Sequence, residues 1–337
     1  METESKRIEW PDFCKGFAIF LVVLGHAIGY ASSNGSGDEI FLTIDKWIYS
    51  FHMALFFFVS GFLQKLSEKK SPYTCKRVLD RTCAIVGPYV IFSIIFWTIK
   101  KMVESSVNNP MSLKDLFMIG VYPLSDLWFL YALAVFYICR VVFVKFHVND
   151  IIVFFIATVL SVFTVVLNWN EIISHTALPR ICKYFSFFYA GVLFYHVLVT
   201  QLLLKRKAVI LSFFLFLLGV VGLYVQRFLS GLALGVDYVF VAYCNIIALI
   251  VIGAFVRSKI MRYLGINSLY VFLLHDYAVC AVIILMRKSA VNPYMLVTLA
   301  TIAGILFSLL VVWLSSKSKF IEFFFKPHLL LKRYVER

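Results

Sequence analysis

RIEWPDFCKGFAIFLVVLGHAIGYA, residues Arg7 to Ala31, reads as a membrane-crossing helix, yet it carries two groups that hydrocarbon should exclude: Lys15 near its start and His26 well inside it. The apolar run from Phe13 to Ala31 is long enough for about 28 Å of helix, close to the thickness of a bilayer core. Lys6 and Arg7 ahead of it resemble the start of a secretion signal, but the length of the run and its polar groups argue for a retained helix. An ionisable residue inside a spanning helix costs free energy that a partner, a cavity or a substrate must offset, so it marks a functional site by default.

Turn arithmetic groups the polar residues of this helix. At 3.6 residues per turn, Lys15 and His26 return to within roughly 20° of one face and Asp12 to within roughly 40°. Asp12, Lys15 and His26 therefore form one stripe along the helix. A purely structural account, with Lys15 reaching to the interface and His26 bonded to a neighbouring helix, competes with the site reading.

The rest of the 337-residue chain has the same character, with 62% hydrophobic and 15% charged residues against roughly half and a quarter in globular proteins. The net charge of +14 accompanies no nucleic-acid module, and the basic residues lie between long apolar runs, where they set orientation. The seven cysteines include no C-x-x-C pair and mostly fall in apolar segments. They read as small buried hydrophobes rather than a disulfide framework or zinc site.

Apolar segments of spanning length lie near 13–31, 46–64, 83–103, 125–144, 150–168, 181–199, 208–226, 237–256, 265–286 and 294–315. The expected fold is an all-α polytopic bundle of about ten transmembrane helices over one domain, residues 1–337. Lys and Arg concentrate in alternate loops, on the side that holds both termini, which places the termini in the cytoplasm. No soluble domain, Pro-rich linker or internal repeat is evident. The missing repeat counts mildly against a transporter.

Four further stretches carry chemistry. His52, in IYSFHMALFFFVSGFL, lies about 9 Å below the outer surface and His26 about 8 Å. Two imidazoles at one depth on consecutive helices suit an acid/base pair or part of a metal site. No metal is expected, because no carboxylate evidently accompanies them. From Lys65 to Arg81 the chain holds six cations and two acids, which suits anionic lipid headgroups or phosphate. Arg77 and Arg81, four apart, share a face if that stretch is helical and could clamp a diphosphate. Trp128 and Tyr131, in LSDLWFLYAL, read most simply as an interfacial aromatic belt. In GINSLYVFLLHDY, Ser268 and His275 share a face, with Asp276 beside the histidine. His275 reads equally as a satisfied structural group and as a cavity group.

RIEWPDFCKG from Arg7 to Gly16, VVLGH ending at His26, FHMALFFFVSGFL from Phe51 to Leu63, LWFL from Leu127 to Leu130 and GINSLYVFLLH ending at His275 together resemble the acyltransferase-3 family of membrane acyltransferases, especially its fucose 4-O-acetylase-like branch. The basic residue eleven positions before a helical histidine is the most specific of these features. The resemblance implies O-acyl transfer, commonly acetyl from acetyl-CoA, to a hydroxyl of a cell-envelope carbohydrate by a protein of the bacterial cytoplasmic membrane. It marks His26 as the catalytic histidine. The family's arginine pair at the third helix is commonly R-x-x-R, whereas Arg77 and Arg81 are four apart.

The expected site therefore has His26 and His52 as the acid/base groups, with His26 as general base. Lys15, Arg77 and Arg81 face the donor, and Asp12, Trp128, Ser268 and His275 face the acceptor. Membrane lipids are the remaining partners. A transporter or flippase, with the same intramembrane groups lining a proton-coupled path, is the competing class, and an inactive binding or sensing membrane protein is a third.

Overall fold

The computed structural model describes residues 8–33, 38–102, 111–166, 176–200, 214–219, 221, 236–286 and 291–329. Among these, every regular element is a helix. In chain order they are α1 (Trp10–Ala31), α2 (Glu39–Lys70), α3 (Cys75–Met102), α4 (Leu113–Phe117), α5 (Trp128–Lys145), α6 (Asp150–Val166), α7 (Leu178–Leu193), α8 (Tyr195–Thr200), α9 (Val236–Phe255), α10 (Lys259–Ile266), α11 (Ser268–Met286), α12 (Pro293–Lys317) and α13 (Lys319–Phe325).

Among the described residues, six helical stretches are long and apolar enough to cross a membrane, and a seventh results if α9 and α10, bent by 118° at a short break, count as one span. The stretch from Asp150 to Thr164 is apolar but shorter. The segment expected at 208–226 lies largely outside the described residues. Long apolar helices satisfy every internal backbone N–H and C=O in a medium without water, which is why a chain of this composition folds this way.

Two expected boundaries move. The basic stretch after residue 64 is not a loop: Lys65 to Lys70 complete α2, residues 71–74 form the link, and Cys75 starts α3. Lys and Glu are good helix formers, so the helix runs on beyond its apolar portion. The segment expected to be continuous from residue 265 is broken at Asn267. There the Asn267 side chain donates to the Tyr263 carbonyl at 2.9 Å, satisfying a carbonyl of the last turn of α10.

The chain divides into two compact units, residues 1–63 with 190–312, and residues 64–189 with 313–337. In the first, α1 packs against α10, α11 and α9. Pro11 opens α1, where the missing N–H has no intrahelical role. The contact with α10 is backbone to backbone. A Cβ on Gly16 would collide with the Met261 carbonyl oxygen, and one on Gly265 with the Asp12 carbonyl oxygen. Glycine at both positions permits this approach. Ser258 caps α10 by accepting from the Met261 N–H at 3.3 Å, and Arg262 pairs with Glu9.

In the second unit, α3 packs against α5 and α13. Phe92 meets Phe325 at 5.2 Å between ring centroids. Arg140 of α5 is 2% exposed.

Candidate active site on the first helix

Within the first unit, α1 and α11 bring four polar side chains together. His26 Nδ1 lies 3.3 Å from Asp276 Oδ1. Tyr30, one turn after His26, donates its hydroxyl to Asp276 Oδ2 at 3.1 Å. The His275 ring stands edge-on to the His26 ring at 5.0 Å between centroids. The carboxylate that the sequence did not evidently supply is therefore Asp276, delivered by a helix remote in sequence.

The ring contacts assign protons. A carboxylate at neutral pH only accepts, so the Asp276 contact favours a proton on His26 Nδ1 and leaves Nε2 as the basic nitrogen. His275 Nδ1 is 2.8 Å from the Val271 carbonyl oxygen. A carbonyl also only accepts, so Nδ1 of His275 carries the proton and Nε2 a lone pair. That Nε2 is buried and has no hydrogen-bond partner among the described residues, in a side chain whose residue is 1% exposed.

One ligand-capable atom from each of His26, His275 and Asp276 lies within 4.8 Å of the others. That spacing is compatible with one shared cation, although His26 Nδ1 is engaged by the carboxylate.

The other expected site residues fall as follows. Lys15 pairs with Asp12 at 3.0 Å, about 16 Å along the axis from His26 at 1.5 Å per residue. Asp12 is buried. His52 Nδ1 sits 2.6 Å from the carbonyl of Ile48 on its own helix, and its ring meets Tyr49 edge-on at 5.0 Å. The neutral His52 ring thus presents Nε2 as an acceptor, and it can donate there only as imidazolium. Ser268 is the first residue of α11, two turns before His275, which separates it from the imidazoles by about 10 Å of helical rise.

In the second unit, Trp128 is packed inside rather than displayed as a belt. It is 9% exposed, stacks on Tyr184 at 5.4 Å and has the Arg180 guanidinium 5.1 Å from its ring centroid. Tyr131 donates to the Gly120 carbonyl at 2.9 Å. Arg77 and Arg81 converge on one residue, as their shared face implies. Arg77 donates to the Ser67 carbonyl and hydroxyl, both at 2.6 Å, and also to the carbonyls of Ser71 and Pro72. Arg81 reaches the same Ser67 hydroxyl at 3.4 Å. Arg77 thus ties the last turn of α2 to the link that follows it.

A second buried polar cluster, not anticipated from the sequence, lies nearby in this unit. Arg140 makes a two-pronged contact with Glu68, 2.8 Å on each side, and pairs with Asp150. Lys65 reaches Asp150 at 3.0 Å. Tyr73 donates to Glu68 at 2.7 Å. Burial, reinforced by that carboxylate, holds the Tyr73 phenol well above its ordinary range.

The family model described as an acyltransferase domain matches residues 8–317. Among curated proteins, Nodulation protein NolL of Mesorhizobium japonicum is 32% identical over 123 residues, 36% of this chain and 32% of that protein. Nodulation protein NolL of Sinorhizobium fredii is 33% identical over 89 residues, 26% of this chain and 24% of that one. The chain thus spans about a third or less of the length of these relatives. No solved structure matches it. A match over nearly the whole chain makes this chain a member of the acyltransferase-3 family.

Proposed function

We propose that this protein is a membrane O-acyltransferase that moves an acetyl group from acetyl-CoA to a hydroxyl of a cell-envelope carbohydrate, with His26 as general base. The observation that supports it most is the His26–Asp276 contact at 3.3 Å, with Tyr30 on the other carboxylate oxygen at 3.1 Å. A carboxylate behind an imidazole fixes its tautomer and stabilises the imidazolium that forms when the ring takes a proton.

The acceptor oxygen attacks the thioester carbonyl carbon as His26 Nε2 takes the hydroxyl proton. The carbon–sulfur bond then breaks, and the imidazolium returns the proton to the departing thiolate. An unperturbed imidazole titrates near pH 6.5, so such a base needs little tuning at physiological pH. His52 assists as imidazolium if it donates to the thioester oxygen, since its Nδ1 is committed to Ile48.

For the donor we assign Arg81 and Arg77 to phosphate, with Lys15 as a further cation. Asp12, Trp128, Ser268 and His275 are assigned to the acceptor, His275 most directly. No metal is invoked. The proposed setting is the bacterial cytoplasmic membrane, with about ten spans, both termini in the cytoplasm and lipids as the surrounding partners.

The test is transfer by the purified full chain in lipid nanodiscs supplied with acetyl-labelled acetyl-CoA and envelope glycan. His26→Ala should lower transfer by about 10²–10⁴-fold, and Asp276→Asn by about tenfold or more, with protein yield unchanged. If the wild-type protein neither consumes thioester nor labels glycan, and His26→Ala cells keep the full biological activity, the enzyme reading is wrong.

A further inference from the structure

We infer that His26, His275 and Asp276 form a binding site for a zinc-type divalent cation, and that the bound ion inhibits acyl transfer by removing the base. The inhibitory role rests on the acyl-transfer reading above, whereas the ion site stands independently of it.

The fold leaves two ligand-capable atoms of this cluster idle. His275 Nε2 and Asp276 Oδ1 are buried, and neither has a hydrogen-bond partner among the described residues. Asp276 Oδ1 meets His26 Nδ1 at ion-pair range, 3.3 Å. Orphaned polar atoms in a native fold call for a specific explanation, an ion among them. The other atom of each side chain is anchored. His275 gives its Nδ1 proton to the Val271 carbonyl at 2.8 Å, and Asp276 Oδ2 accepts from Tyr30 at 3.1 Å. Ligating histidines and carboxylates are oriented in this way, with one atom bonded to the protein and the other left for the ion.

The spacing suits a small ion. Ligands about 2.0–2.2 Å from a tetrahedral zinc stand about 3.3–3.5 Å apart. The His26–Asp276 edge already has that length, 3.3 Å. The three ligand atoms lie within 4.8 Å of one another, so about an ångström of side-chain movement closes the set. The side chains of His26 and Asp276 are 17% and 26% exposed, which gives an ion a way in and leaves a fourth position for water. Two imidazoles and a carboxylate suit zinc and its first-row neighbours, not Mg²⁺, which asks for an octahedral set of oxygens. Whichever ring nitrogen of His26 the ion takes, the base is lost. Bound at Nδ1, it displaces the proton there, and the neutral ring carries its single proton on Nε2 instead; bound at Nε2, it occupies the basic lone pair itself.

The purified full chain, free of any histidine tag and held in lipid nanodiscs, is stripped with EDTA, titrated with zinc chloride, desalted and analysed for zinc per chain. Transfer from acetyl-labelled acetyl-CoA is followed in parallel. The expected result is about one zinc per chain, transfer that falls as that zinc binds, and full recovery when EDTA is added. Each variant is compared with its own zinc-free rate. His275→Phe should weaken both zinc binding and inhibition by more than the roughly 10–100-fold that loss of an outer partner costs, and Tyr30→Phe, which keeps all three ligands, by about tenfold. Mg²⁺ at the same concentration should neither bind nor inhibit. Zinc content near zero, or unchanged in both His275→Phe and Asp276→Asn at matched unfolding temperature, overturns the ion site and leaves acyl transfer standing. Transfer that EDTA abolishes and zinc restores overturns the inhibitory role. A wild-type protein that binds one zinc but neither consumes thioester nor labels glycan upholds the ion site and overturns the acyl-transfer reading, the inhibitory role with it.

Discussion

Each of the two units buries a polar cluster, and the clusters are built on opposite principles. In the second unit, Arg140 and Lys65 face Glu68 and Asp150, two cations against two carboxylates. Its charges balance, and the Tyr73 hydroxyl adds a further donor. In the first unit, the cluster of His26, His275, Asp276 and Tyr30 leaves His275 Nε2 without a hydrogen-bond partner among the described residues. A satisfied cluster holds helices in register, whereas an unsatisfied one is organised for something that arrives. Burial and polarity alone do not separate the two, since Arg140 and His275 are equally hidden.

The contrast breaks most visibly at Arg140. Arg140→Met leaves the partly buried Glu68 and Asp150 without their main partner, and removing one member of a fully buried pair costs about 3–5 kcal/mol, an upper bound here. Thermal unfolding in detergent should show that loss, with transfer per folded molecule unchanged. A loss of transfer without a loss of stability would place Arg140 in the chemistry and erase the distinction.

Tyr30→Phe tests the other cluster gently. It removes one hydrogen bond to Asp276 and keeps the ring, so transfer should fall about two- to tenfold with the unfolding temperature nearly constant. His275→Leu sharpens the stability side of the comparison. An apolar side chain in place of an unpartnered acceptor should leave stability within about 1 kcal/mol of wild type, or slightly raise it. A fall as large as that of Arg140→Met would mean the His275 ring is structurally satisfied.

The smallest effect is expected at an exposed pair outside both clusters. Asp38 is held below the ordinary carboxylate range, first by the Tyr294 hydroxyl and then by the Ile40 N–H. A carboxyl with a lowered folded-state pKa contributes stability that is present at neutral pH and lost as pH falls through its range. Tyr294→Phe should therefore slightly lower stability at neutral pH and flatten the acid side of the stability–pH curve, with the difference from wild type vanishing once the carboxyl is protonated.

Much of the first cluster was legible in the sequence, because its key residue interrupts an apolar run. His26 and the one-face relation of Asp12 and Lys15 follow from helical periodicity, and the Lys15–Asp12 pair has that geometry. The contact of His26 with Asp276 is invisible to periodicity, since the two residues are brought together by packing of helices far apart in the chain. The nearest sequence cue was the adjacent His275–Asp276 pair in an otherwise apolar segment, which put two ionisable groups where lipid tolerates neither. Arg140 was hidden for a different reason. At the end of an apolar run a cation looks like an interface charge, and its partner Glu68 lies in a stretch that looked like a basic loop until α2 proved to continue through it. The turn at Asn267 carried a local signal, GINS, whose Gly, Asn and Ser are typical of helix termini.

The glycine contact between α1 and α10 makes the first helix a measuring rod. Its zero mark is set by main-chain atoms at Gly16 and Gly265, with no side chain in between to absorb an error. His26 stands ten residues farther along, at about 15 Å and nearly three turns. Changing an apolar residue between the marks alters only what lines the rod. Inserting one would turn the imidazole about 100° away from Asp276, so the chemistry of this protein depends on the number of residues from Gly16 to His26 more than on which apolar residues they are.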